Sequence, residues 1–247
     1  MPEWNPADRQ WMSRALTLAA RGLYTTEPNP RVGCVLVKGE QVVGEGWHVQ
    51  AGEGHAEVNA LAQAGEQARG ATAYVTLEPC SHVGKTPPCA DALIAAGVSR
   101  VVAAMQDPNP LVAGNGLQRL RDAGIEVTCG LLEEQARELN PGFIKRMQLG
   151  LPWVRVKLAM SLDGRTAMAS GESKWITGPA ARADVQLLRA RSGAVISRAD
   201  RALPDASALT GRARALAPSG DEASPRPKRQ PRPRPPPRPQ AERPRTT

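Results

Sequence analysis

Aromatic side chains are scarce in this chain: one Phe, two Tyr and five Trp among 247 residues. The apolar fraction, 41%, is ordinary, so a core must be built from Ala, Val, Leu and Ile. Long apolar runs are missing as well. No stretch approaches the roughly 18 residues that a membrane-crossing helix needs. The N-terminal "MPEWNPADRQWMSRALTLAARG" is charged and amphipathic, without the apolar centre of a signal peptide. Cysteine is sparse, with four at uneven spacing, which argues against a disulfide framework. These features fit a cytoplasmic, reducing location, where a Cys pair more often binds metal or takes part in catalysis.

The formal charge of +8 suggests a polyanionic partner until its distribution is considered. Residues 1–181 carry 17 Lys/Arg and 18 Asp/Glu, whereas residues 182–247 carry 15 and 6. The basic character belongs to the C-terminal part. No specific nucleic-acid partner is expected, because clustered Arg without interleaved aromatics gives only nonspecific attraction. No membrane partner is expected either.

Periodicity gives an alternating chain. Asn5 can cap a helix with Pro6 in its first position, and Met12, Ala15, Leu16 and Ala19 form its stripe. "VGCVLVKGEQVVGEGWH" reads as two strands joined at "KGEQ". Then come helix "HAEVNALAQAG", strand "TAYVTLEP", helix "PPCADALIAAG", strand "RVVAAM", helix "NGLQRLRDAG", strand "EVTCG" and helix "LEEQARELNPGF". Such alternation predicts a layered α/β sheet. The pattern pauses near "MQLGLPW". It resumes with strand and turn "VRVKLAMSLDGRTA", helix "GPAARADVQLLRAR" and strand "GAVIS". This divides the chain into 1–150, 151–211 and a Pro/Arg-rich tail, 212–247. Ten prolines and few large apolar residues over 218–247 predict disorder there.

Of only three histidines, His55 stands at a helix start, and Glu57 follows two places later. Cys80 is placed at a strand end and Cys89 at the next helix start. In a layered sheet such chain ends can meet at one edge. One imidazole and two thiolates suit zinc, with a fourth position left for water. Helix N-termini stabilise thiolate charge. An open zinc site eases deprotonation of water, and Glu57 can reach that water without being a ligand. This is the arrangement of a zinc deaminase. Taken singly, HxE or PC is a weak signal; together, with a second Cys at a helix start, they are specific. Eight residues, "SHVGKTPP", separate the cysteines, where many such deaminases have two.

In "PNPRVGCVLV", "GEGWH", "HAEVNAL", "AYVTLEPCSHVGKTPPCADALI", "MQDPNPLVAGNG", "NPGFIKRM", "KLAMSLDGRTAMASGESKWIT" and "DVQLLRA" the chain resembles the bifunctional riboflavin-biosynthesis deaminase/reductase family. The resemblance runs from about residue 9 to about residue 197. It implies a cytidine-deaminase-like three-layer α/β/α sheet, followed by a fragment of a dihydrofolate-reductase-like α/β domain. It places zinc on His55, Cys80 and Cys89, and the proton shuttle on Glu57. The substrate it implies is a phosphorylated pyrimidine, a diamino-hydroxy-phosphoribosylamino-pyrimidine, with contacts on Asn29, His48, His82 and Lys85. In the reductase half it implies NADPH at Ala159 and Trp175, and the sugar-phosphate substrate at Ser173 and Arg189. Members often carry His where this chain has Asn59, one turn below His55, which should matter little to zinc.

Plainer readings stand beside these. Asn29 lies in a turn sequence, "PNPRVG"; His48 could be an exposed strand end; His82 and Lys85 could belong to a solvated loop. Cys34 and Cys129 read as small core residues, and Trp153 and Trp175 as packing residues. Past "GAVIS" the family pattern decays into "RADRALPDASALTGRAR", so deamination without NADPH-dependent reduction is expected. The other readings are a nucleoside or tRNA deaminase and a non-enzymatic nucleic-acid binder acting through the basic tail. The sequence leaves open whether copies assemble into a homo-oligomer.

Overall fold

The structure, a computed structural model, describes residues 4–82, 87–110 and 112–196. Helix α1 spans Pro6–Ala20, with a capping box at its start: Asp8 N–H donates to Asn5 Oδ1 at 2.6 Å and Asn5 N–H donates to Asp8 Oδ2 at 3.3 Å. Strands β1 (Gly33–Lys38) and β2 (Gln41–Trp47) follow, then α2 (Ala56–Ala64), β3 (Thr72–Val75), α3 (Cys89–Ala96), β4 (Arg100–Ala103), α4 (Asn115–Asp122), β5 (Glu126–Cys129), α5 (Glu133–Leu139), α6 (Pro141–Leu149) and α7 (Pro179–Ala190). The strands form one sheet in the order β2-β1-β3-β4-β5. Strand β1 is antiparallel to both neighbours, while β3, β4 and β5 run parallel.

Strand alternation fills two layers. Cys34, Leu36, Ala73, Val75 and Val101 pack with Ala56, Ala60 and Ala64 of α2, Leu93 of α3 and Leu120 of α4. Val35, Val37, Tyr74 and Val102 face the other side, against Met12, Ala15 and Leu18 of α1, Ala136 of α5 and Ile144 of α6. The three-layer α/β/α arrangement is therefore present. The shortage of aromatics is met by close approach. A Cβ on Gly44 or Gly46 of β2 would run into the carbonyl oxygen of Ala60 or Ala56 of α2. An alanine-lined helix thus lies directly on the strand, and its first turn is fixed against the sheet edge.

Four expected elements differ. "TAYVTLEP" keeps its ladder only to Val75. Beyond it, Thr76 is tied to Gly33, its hydroxyl accepting from Gly33 N–H at 3.1 Å, and the chain bends over the sheet edge. "LEEQARELNPGF" is not one helix: Pro141, which lacks a donor, starts α6 in its first turn, and Asn140 sits between α5 and α6. The strand expected in "VRVKLAMSLDGRTA" forms no ladder, and Val154, Val156, Leu158 and Leu162 are exposed. Residues 193–196 of "GAVIS" form none either. With no strand beside them among the described residues, apolar alternation alone does not make a sheet. The disorder expected over 212–247, and Lys85, lie outside the described residues.

Candidate metal centre and pocket

His55 is the N-cap of α2 and Cys89 is the first residue of α3. Cys80 lies five residues past the end of β3, in the segment that bends over the edge, rather than at the strand end itself. The three meet. His55 Nδ1 is 3.2 Å from Cys89 Sγ and 3.6 Å from Cys80 Sγ, and one ligand atom from each residue lies within 4.8 Å of the others. Zinc bonds of about 2.0–2.3 Å at tetrahedral angles put such atoms about 3.5 Å apart, so nitrogen and two sulfurs fit the ion. The Cys89 N–H, first in α3, donates to Cys80 Sγ at 3.3 Å. A hydrogen bond from Cys89, with His55 alongside, pulls the Cys80 thiol well below its ordinary value and favours its thiolate. Its contact with Cys80 raises His55.

Glu57 is buried in the first turn of α2, within hydrogen-bonding reach of Cys89. Burial pushes its carboxyl up to about 7. A group balanced there can both accept and return a proton near neutrality.

A cavity of about 500 Å³ opens on this cluster, and Asn29, His48, His55, Glu57, Cys80 and His82 all line it. The bland reading of His48 does not hold: the residue is buried. Its Nδ1 is 3.1 Å from the Gly54 carbonyl, which can only accept, so Nδ1 carries the proton. Burial lowers the His48 pKa, favouring the neutral ring. Nε2 then accepts from Asn29 Nδ2 at 3.1 Å, leaving the Asn29 amide oxygen to read a donor in the cavity. His82 is exposed at the rim. Asn59 binds the carbonyls of Trp47 and Gly54 through Nδ2, at 2.8 and 3.4 Å. It secures the turn before His55.

Residues 5–105 match the family described as "Cytidine and deoxycytidylate deaminase zinc-binding region", and residues 152–238 match "RibD C-terminal domain". The diaminohydroxyphosphoribosylamino-pyrimidine deaminase of Buchnera aphidicola (subsp. Schizaphis graminum) is 54% identical over 145 residues, 59% of this chain and 99% of that protein. The chain belongs to the RibD family of riboflavin-biosynthesis proteins. RibD of Escherichia coli is 65% identical over 203 residues, 82% of this chain and 55% of that protein. RibD of Acinetobacter baumannii superposes with a TM-score of 0.81 at 63% identity, covering 83% of this chain and 58% of that one. The chain spans about half the length of the longer curated RibD relatives it matches.

The RibD C-terminal match does not produce a second assembled site among the described residues. Ala159, Ser173, Trp175 and Arg189 line no part of the cavity. Trp175 is exposed, with the Arg182 guanidinium 4.4 Å from its ring centroid. Other features of the pocket escaped the sequence reading. Asp107 and Asn109 line the cavity, as does Phe143 of α6. Asn140 clamps the Asn29 loop: Arg31 N–H donates to Asn140 Oδ1 at 2.8 Å, and Asn140 Nδ2 donates to the Arg31 carbonyl at 2.9 Å. The Pro after Asn140 was the available signal, since it marks a helix boundary.

Proposed function

We propose that this chain hydrolytically deaminates a diamino-hydroxy-phosphoribosylamino-pyrimidine in riboflavin biosynthesis, with zinc held by His55, Cys80 and Cys89. The observation that carries the reading is the His55–Cys80–Cys89 cluster with buried Glu57 beside it, at the wall of one cavity. The Buchnera deaminase, aligned over nearly its whole length, supports the substrate. Zinc, when bound, supplies Lewis-acid activation of water. The chain's own residues do the rest. The Glu57 carboxylate takes one proton from the attacking water and delivers it to a ring nitrogen, then takes the second from the newly added hydroxyl and delivers it to the departing amine. The new C–O bond replaces the C–N bond, and ammonia leaves. Asn29, oriented by His48, accepts from a ring-edge donor. His82 and Lys85 are assigned to the phosphorylated arm. Free thiols at Cys80 and Cys89 suit a cytoplasmic, reducing setting. No helix among the described residues is long and apolar enough to cross a membrane.

Residues 1–150 are read as the deaminase unit and 151–211 as a partial reductase. NADPH-dependent reduction, a property implied for the longer family members, is not assigned to this chain, because Ala159, Trp175, Ser173 and Arg189 lie on a segment with one helix and no ladder among the described residues. Purified chain should release ammonia from the pyrimidine phosphate and not from cytidine or tRNA. Release from either of the latter with none from the former would replace the substrate assignment.

A further inference from the structure

Helix α4 begins without a side-chain cap of its own: Gly114, in its cap position, has a left-handed φ of 84° and no side chain to offer. The first N–H groups of a helix need acceptors. Here they find them in a residue 36 to 39 positions earlier. Glu78 is buried, two residues before Cys80, and its carboxylate accepts four backbone N–H bonds. Oε1 takes Gly116 at 2.8 Å and Leu117 at 3.3 Å; Oε2 takes Gly114 at 2.9 Å and Asp107 at 3.0 Å. The backbones meet as well. A Cβ on Gly116 would collide with the Pro79 carbonyl oxygen, so only glycine allows this approach.

The segment held in this way supplies one wall of the cavity, through Asp107, Asn109 and Val112. Glu78 also borders the cavity, but each of its oxygens already serves two amides. We infer that Glu78 is a positioning residue: it caps α4 across the chain and fixes the wall of residues 107–110 and 112–117 against the Cys80 segment, and so sets how tightly the pocket grips its substrate. The inference rests on the deaminase reading for its kinetic consequence, but not for its structural one.

Glu78→Gln is the sharp test, because it is not conservative here. Both carboxylate oxygens face N–H donors, so the amide NH₂ must point at a donor whichever way it turns. In the full chain loaded with zinc, KM for the pyrimidine phosphate should rise roughly ten- to a hundredfold, the scale of one charge-assisted hydrogen bond lost from the wall. Turnover and zinc content should stay near those of the parent. By hydrogen exchange, the amides of Asp107, Gly114, Gly116 and Leu117 should lose protection. Glu78→Asp, which keeps the charge but draws it back, should show a smaller rise. It decides alone should the Gln variant not fold. Unchanged KM in a folded variant, or zinc lost in step with activity, would overturn the inference, as would failure of both variants to fold. If the parent chain does not deaminate, the functional reading fails, and the exchange comparison still decides whether Glu78 holds the wall.

Discussion

The proposed mechanism gives proton transfer to Glu57 and metal holding to the two cysteines, and substitutions should separate the two roles. Glu57→Gln keeps size and hydrogen bonding but removes the group that shuttles protons. Turnover should fall by roughly two to four orders of magnitude, the usual scale of general acid–base work. Zinc should stay bound, by metal analysis of the purified variant. Wild-type rates would mean that another group moves the proton. Cys80→Ser and Cys89→Ser should behave differently, since a neutral hydroxyl replaces a thiolate. Both should lose most zinc and most activity, and thermal stability should drop because the metal ties the starts of α2 and α3 together. Full occupancy in either variant would contradict the ligand set.

Between elements, the decisive contacts are small. Helix α2 rests on β2 through Gly44 and Gly46, and its N-cap is His55. Gly46→Ala should therefore cost about 1–3 kcal/mol, as overpacking does. It should also weaken zinc binding by moving His55, which a thermal melt and a zinc titration would report. Helix α1 is pinned differently. Buried Asp8 accepts from Arg100 at 2.8 Å and from the Tyr74 hydroxyl at 2.8 Å. Burial alone would raise its pKa, but these bonds and the Arg100 charge outweigh it and hold Asp8 below the ordinary carboxylate value. A depressed folded pKa gives stability that is fully present above the unfolded value, about 4. It fades as pH falls through the folded one. Asp8→Asn should lower stability at pH 7 by about 1–3 kcal/mol, and the gap between variant and parent should shrink in acid. A pH-independent gap would contradict this ionic role. The same scale explains what the sequence disclosed. Helix starts at Asn5, His55 and Cys89 were legible because caps, Pro and period are local signals. The cross-chain partners were not: Glu78 on α4 and Asn140 on Arg31 join residues 29 to 109 positions apart, and no local pattern records them. The unladdered strand expected at the start of "VRVKLAMSLDGRTA" was misread for the related reason that a strand needs neighbours as well as alternation.

At the scale of the whole molecule, the sheet, its two helical layers and the pocket lie within residues 4–149, and 151–196 add one helix and exposed apolar side chains such as Val154 and Val156. Under the proposed division, the purified chain is expected to give no NADPH-dependent reduction of the deaminated sugar phosphate, followed by absorbance of the cofactor. It should give no protection of Trp175 on adding NADPH. Reduction by the purified chain alone would overturn that division. The zinc deaminase centre is best tested by measuring ammonia release from the diamino-hydroxy-phosphoribosylamino-pyrimidine by purified protein of known zinc content. One zinc per chain, turnover that scales with zinc, and loss of activity on chelation that zinc restores are expected. Full activity in metal-free protein, or zinc-loaded protein that leaves this substrate untouched, would contradict it.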